Sequence, residues 1–485
     1  MKLSQHETSA SVSDLKIDNV CATAKRQLTP TGKERELVER TAEQIRQRVD
    51  EECSKANLPA DVRIEGSVAK DTWIPDYVDI DIFMLVSPEL TKEQLSKVCL
   101  PIARRALRGN RIVERYAEHP YIEAFIRTRK ELRVNVVPCY KVERGNWLSA
   151  TDRTPFHAQY IHDHLTAEKR GDVRLLKAFL RSIGTYGADI KTGGFSGMLV
   201  ETLVLDFGGF LKVVGSFAEW DLNRYSDVEK YYQNRSTEVR KIFPEPLVVI
   251  DPVDKGRNLG AAVRPDQLWN FVAASRYFLK KPTTRFFSEP KIQPLARREF
   301  ERLTKSRGSG MICISFGKVD AVVDVLWSQL FRTQRALANF LLNNDFEIIR
   351  SAAWSDEVNL NLIIFELESI QIPASKKHFG PPVNRTSESA SFIAKHTGNS
   401  KTVAGPWVEN QRWVVQKSRP NTNAERLLNT ALKQRSEIGV ASLFNRKGVG
   451  VRVLNEKTIA PMISSHREFS RFMRHFLDGR PVWYA

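Results

Sequence analysis

Gly66-Ser-Val-Ala-Lys-Asp-Thr-Trp73, a turn at Pro75, then Asp79-Ile-Asp-Ile-Phe-Met-Leu-Val86 is the stretch around which this chain is organised. Its second half is an apolar, β-branched run bounded by turn residues, which predicts a buried strand. Strand side chains alternate, so Asp79 and Asp81 leave the same face. Two carboxylates about 5–7 Å apart repel unless a positive charge sits between them or one is protonated. A divalent cation resolves the repulsion, and Mg²⁺ takes one or two carboxylates together with phosphate oxygens. A preceding strand, Val62-Arg-Ile-Glu65, ends at Gly66-Ser67. Glycine lets backbone approach a ligand closely, and the Ser67 hydroxyl with neighbouring N–H groups can face an anion. Asp-x-Asp alone also fits a solvated strand mouth. With Gly-Ser upstream, the reading shifts to a phosphate cradle beside a metal pair.

The 485 residues are too many for one core and imply two to four domains. A net charge of +17 costs self-repulsion, and a polyanionic partner is the common reason to carry it. No apolar run approaches a membrane span, and the first residues are polar, so an anionic membrane is the weaker candidate. Cys21, Cys53, Cys99, Cys139 and Cys313 are scattered and lack CxxC spacing, which reads as reduced thiols in a cytoplasmic protein.

Residues 1–28 lack periodicity and are expected to be a mobile tail. Thr31-Gly-Lys-Glu34 is a capping box opening a helix with an apolar stripe of Leu37/Val38, Ala42, Ile45 and Val49. A second helix is expected over Lys92–Leu107, and strands over Tyr121–Arg127 and Leu132–Val137 around a basic turn. The fold class is α+β and multidomain: a catalytic palm over 29–150, a helical central domain over 151–276, and a mixed body and tail over 277–485.

Ser67, eleven intervening residues, then Asp79-Ile-Asp81 resembles the nucleotidyltransferase signature of the polymerase-β superfamily. Arg115-Tyr-Ala-Glu-His-Pro-Tyr121, Val136-Val-Pro-Cys-Tyr140, Asp152-Arg-Thr-Pro-Phe-His157, Arg174-Leu-Leu-Lys177, Gly194-Phe-Ser-Gly197 and Asp251-Pro-Val-Asp-Lys-Gly-Arg-Asn258 follow in order. Together these resemble the archaeal-type (class I) CCA-adding enzymes, the tRNA nucleotidyltransferases. The likeness is dense from about residue 60 to 265 and thinner beyond. It implies template-independent addition of CCA to tRNA from CTP and ATP, with Mg²⁺ as cofactor; a homodimer is compatible with it. A poly(A)-type polymerase on the same palm would lack the Asp152–His157 and Asp251–Asp254 segments.

By that resemblance Asp79 and Asp81 are shared metal ligands, and Ser67 and Lys70 contact the triphosphate. The family more often has Tyr-Ala-Arg where this chain has Val68-Ala-Lys70, exchanging a bidentate fork for a point charge. His157, Lys177 and Tyr186 match positions that bind the incoming nucleotide, and Arg257 the arginine that reads the base edge. Without the resemblance, His157 reads as a surface histidine, Lys177 as a solvated charge, Tyr186 as a loop anchor, and Arg257 as a partner of Asp251 or Asp254. A zinc site on His157, His162 and His164 has the wrong spacing for a closed tetrahedron.

One departure is larger. The family's third metal carboxylate falls at Asn135, and an amide cannot take a proton from the attacking hydroxyl. The readings are a weakened enzyme, a silent tRNA-binding paralogue, or compensation by another carboxylate. If the 128–130 turn pairs residues whose numbers sum to about 258, Glu123 lies opposite Asn135 on the same face. In the C-terminal half, Lys376, Lys377, Arg412, Lys417, Arg419, Lys433, Arg435, Arg446, Lys447 and Arg452, interleaved with Trp407, Trp413 and Phe444, are expected to grip tRNA.

Overall fold

The computed structural model describes residues 4–116, 120–233 and 235–484. The chain divides into two compact units, Met1–Lys291 with Arg480–Ala485, and Ile292–Gly479. The first unit opens with α1 (Ser4–Leu28) and α2 (Gly32–Lys55). Residues 1–28, expected to be a mobile tail, are therefore helical wherever they are described. Ile17, Cys21 and Ala24 recur at helical spacing and are buried in the helical core, and Lys25 pairs with Asp172 at 3.1 Å. Helix α2 starts at the expected capping box, with the Thr31 hydroxyl accepting from the Glu34 N–H and the Glu34 carboxylate from the Thr31 N–H.

The stripe Val38, Ala42, Ile45, Val49 and Cys53 of α2 covers a sheet of β1 (Ala60–Glu65), β2 (Asp79–Val86), β3 (Arg111–Tyr116), β4 (Pro120–Arg127) and β5 (Glu131–Tyr140). The strand order is β1-β2-β5-β4-β3, with β2 and β5 parallel and the other pairs antiparallel. A single turn, α3 (Gly66–Ala69), links β1 to β2, and α4 (Lys92–Ala106) follows β2. Val62, Ile80, Ile82, Met84, Ile122, Ala124, Val134 and Val136 face the helices and bury the sheet's inner side. Period-two alternation turns Asp79, Asp81, Glu123 and Asn135 to the other side, where Phe83, Leu85, Val137 and Cys139 form a small apolar patch. The sequence reading missed β3. The resembling motif Arg115–Tyr121 partly falls on 117–119, which lie outside the described residues.

The rest of this unit is α5 (Thr154–His164), α6 (Ala167–Ser182), α7 (Gly197–Phe207), α8 (Phe210–Ala218), α9 (Ser236–Ile242), the hairpin β6 (Ile250–Asp251) and β7 (Asp254–Asn258), and α10 (Pro265–Lys280). Phe179, Phe195, Phe210, Phe217, Phe271 and Phe278 fill its core without exposure. Residue 276, where the central domain is expected to end, lies within α10, and Phe278 of the same helix belongs to that core.

The second unit contains α11 (Arg297–Arg307), β8 (Gly310–Phe316), α12 (Val323–Asn343), β9 (Ile348–Ser355), β10 (Asn361–Leu367), β11 (Ser375–Pro382), α13 (Thr386–His396), β12 (Thr402–Glu409), β13 (Arg412–Ser418), α14 (Ala424–Ala431), β14 (Val451–Asn455), α15 (Glu456–Ser465) and α16 (Arg467–Asp478). Its larger sheet, ordered β14-β8-β10-β9, has apolar clusters on both faces, which is why β8 and β10 are buried along their whole length. Among the described residues no helix is long and apolar enough to cross a membrane.

Candidate active site

Neighbouring strands bring Glu65, Asp81, Asn135 and Glu123 into one row across the outer face of the first sheet. Asn135 donates through Nδ2 to Asp81 Oδ1 at 2.9 Å. Burial pushes the Asp81 carboxyl up to about 6, although that hydrogen bond pulls the other way. Burial also raises Asp79, against the opposing charge of Arg133, whose Nε lies 2.8 Å from Asp79 Oδ1. Beyond that ion pair Asp79 Oδ1 is buried without a hydrogen-bond partner, and Asn135 Oδ1 is buried without one as well. A buried amide oxygen left unpaired beside two carboxylates is what a divalent cation would satisfy. The donor set fits such an ion with two carboxylates and one amide; among the described residues no cluster of three His, Cys, Asp or Glu exists.

Glu123 lies opposite Asn135, as the turn numbering required. Its carboxylate is held by Arg115 at 2.9 Å and approached by Arg133 at 3.9 Å, so its charge is already answered. On the other flank Glu65 pairs across from Asp81, and burial pushes its carboxyl up to about 7.

Gly66 is fixed by two constraints at once. Its φ is +69°, and a Cβ there would sit 2.0 Å from Asp81 Oδ2. Ser67 follows on α3, half-buried beside the start of β2. The segment between α3 and β2 is pinned from α6: Arg174 donates to the Trp73 carbonyl at 3.0 Å and pairs with Asp71 at 2.6 Å, and Lys177 donates to the Thr72 carbonyl at 3.1 Å.

Lys70 and Lys177 converge on Glu201 of α7, a fully buried carboxylate that the sequence reading missed. Lys177 Nζ lies 3.2 Å from Oε1, and the Thr72 hydroxyl donates to the same oxygen at 2.6 Å. Burial alone would raise Glu201, but the two ammonium groups outweigh it and bring the carboxyl down to about 2. An acid in the middle of the apolar run Met198–Leu205 was the available signal, because a buried charge requires partners. The Tyr186 hydroxyl and Lys177 Nζ both flank Gly197, 3.4 and 4.0 Å from where its Cβ would stand, and burial pushes that phenol up.

His157 and Arg257 meet on Asp251, at 2.9 and 3.3 Å. His157 is buried and not a surface histidine; burial lowers its pKa despite the Asp251 carboxylate. Asp251 resists its own burial through His157 and stays below the usual carboxylate range. His164 hydrogen-bonds the Tyr160 carbonyl at 2.8 Å, so the three histidines form no zinc cluster.

In the second unit the expected basic and aromatic set divides. Phe444 is fully buried in the core, Arg435 holds the Phe444 and Val449 carbonyls, and Arg419 binds Asp345 and two carbonyls. Those three are structural. Lys433, Arg446, Lys447 and Arg452 are exposed.

Three family models match the chain: a nucleotidyltransferase domain over residues 43–165, a tRNA nucleotidyltransferase second domain over 171–288, and a CCA-adding enzyme C-terminal domain over 307–442. The CCA-adding enzyme of Haloarcula marismortui is 33% identical over 430 residues, covering 85% of this chain and 89% of its own. That of Methanosarcina acetivorans is 34% identical over 409 residues, covering 84% and 87%. That of Methanothermobacter thermautotrophicus is 31% identical over 457 residues, covering 93% and 96%.

Proposed function

The chain belongs to the CCA-adding enzymes, the tRNA nucleotidyltransferases, and from that membership we propose that it builds and repairs the 3′-terminal CCA of tRNA from CTP and ATP at the Asp79–Asp81–Asn135 site. The observation that carries the site assignment is the buried Asn135 oxygen without a hydrogen-bond partner, next to the carboxylates of Asp79 and Asp81 and the tight Gly66 turn. A family of nucleotidyltransferases depends on divalent metal, and Mg²⁺ is the ion we assign. When bound, it supplies positive charge at the α-phosphate and lowers the pKa of the attacking hydroxyl.

The chain's own residues do the rest. Asp79 and Asp81 would hold the cation, and Asn135 would contribute a neutral oxygen while its Nδ2 orients Asp81. Asn135 cannot accept the hydroxyl proton, so that proton passes to solvent. Ser67 and the N–H groups of α3 face the triphosphate, and the Lys70–Glu201–Lys177 network fixes the wall behind it with net positive charge. His157 and Asp251 hold Arg257 where its fork can meet cytosine O2 and N3 or adenine N1. The free, buried thiols suit a reducing compartment, and we place the protein in the cytoplasm. The silent-paralogue reading raised by Asn135 is not favoured, because the matched relatives are CCA-adding enzymes.

The test is stepwise. With Mg²⁺ and tRNA ending before its CCA, CTP alone should add two residues, and ATP should then complete the end. Homopolymeric tailing by ATP alone would reject the reading.

A further inference from the structure

A groove of about 790 Å³ runs between α2 and the turn that joins β4 to β5. Lys33, Arg40 and Arg48 line it from α2, and Arg127 at the end of β4 and Arg129 in the turn line it opposite; Glu36 is the one acid among its described lining residues. All five cations are exposed, and among the described residues none makes an ion pair or a side-chain hydrogen bond. Their immediate neighbours behave differently. Arg35 pairs with Asp71 at 2.5 Å, Arg46 with Glu43 at 2.7 Å, and Lys130 with Asp76 at 2.7 Å. The unpaired cations are thus those that face the groove.

Lys33 and Arg48 stand fifteen residues apart on one helix, which spreads the charges over about 22 Å. Unneutralised cations strung along a polar channel with Gln44, Asn110 and Thr128 match a polyanion that offers charge at intervals. An acidic peptide would also need an apolar anchor pocket, whereas Ile45 at the groove floor is already taken up by the sheet core. Position favours nucleic acid too. The contact of Lys130 with Asp76 sets the turn at the end of the sheet where β2 enters with Asp79, so a strand leaving the carboxylates reaches the groove by rounding that rim.

We infer that this groove holds the phosphate backbone of the RNA substrate, upstream of the end being extended. The inference rests on the proposed function and adds a second RNA contact on the catalytic half of the first unit. It is sequence-independent, because phosphate contacts position without reading bases.

The test replaces Arg40, Arg48 and Arg129 together by glutamine and, separately, Arg129→Gln alone, with circular dichroism and melting confirming the fold. Each lost phosphate contact should lower the slope of log affinity against log salt by about 0.7–0.9, so the triple variant should lose about 2 or more. Its affinity deficit relative to wild type should shrink by about twentyfold between 50 and 200 mM salt. KM for tRNA should rise at low salt while kcat is kept, because none of the three touches the reacting atoms. If wild type binds tRNA and the triple variant binds with the same slope and KM, the groove is no RNA contact and the inference falls alone. If wild type neither binds nor extends tRNA, the functional reading and the inference fall together.

Discussion

Replacing Glu201 by glutamine keeps the shape of the side chain and removes the buried charge with which Lys70 and Lys177 both pair. The carboxyl is fully buried and sits at about 2, against an ordinary value of 4.5. A displacement of that size corresponds to roughly 3 kcal/mol of stabilisation at neutral pH. Breaking a buried pair by removing one partner costs about 3–5 kcal/mol, which agrees in size. With m near 1–3 kcal/mol per molar urea, the unfolding midpoint of this unit should drop by about 1–3 M. Because the folded pKa is depressed, the contribution is complete above about 4.5 and disappears as pH falls toward 2, so the wild-type advantage over Glu201→Gln should vanish over that window. Adding Lys177→Met to Glu201→Gln should recover part of the loss, since it removes one of the stranded charges. A shift under about 1 kcal/mol at pH 7, or a difference that persists at pH 2, would refute the network as a source of stability.

Further outcomes follow from the same geometry. Asn135→Asp supplies the carboxylate that the family places there, and should raise kcat by about 10²-fold and tighten Mn²⁺ binding measured by electron paramagnetic resonance. Glu123→Gln should change kcat little, because Arg115 and Arg133 already neutralise that carboxylate; a loss as large as that of Asp79→Ala would instead make Glu123 the compensating ligand. Gly66→Ala should reduce nucleotide addition by at least tenfold with tRNA binding intact, since its Cβ would collide with Asp81 and the residue sits at φ +69°.

The sequence carried the catalytic sheet because its signals are local and periodic. Alternation put Asp79 and Asp81 on one face, the capping box placed the start of α2, and the 128–130 turn set the register that brings Glu123 opposite Asn135. Edge strand β3 escaped because its Arg111, Glu114 and Arg115 break the apolar pattern, as charged residues do on strands that must not pair further. Helix α1 escaped because only the short stripe Ile17, Cys21 and Ala24 marks it within a polar stretch. Glu201 is legible only as an anomaly, an acid inside an apolar helix, whereas the pairing of Asp251 with Arg257 lies within one hairpin and was open to the sequence. That Lys70 and Lys177 reach Glu201, and His157 reaches Asp251, depends on packing between elements more than twenty residues apart, and no local pattern encodes that.

The most direct measurement compares wild type with Asp81→Asn for incorporation of labelled CMP into tRNA lacking its CCA, alongside tRNA affinity. The change is nearly isosteric and removes the carboxylate around which Gly66 and Asn135 are arranged. The account predicts that incorporation falls by about 10³-fold or more while tRNA affinity stays within about twofold of wild type. Undiminished incorporation by Asp81→Asn would contradict it.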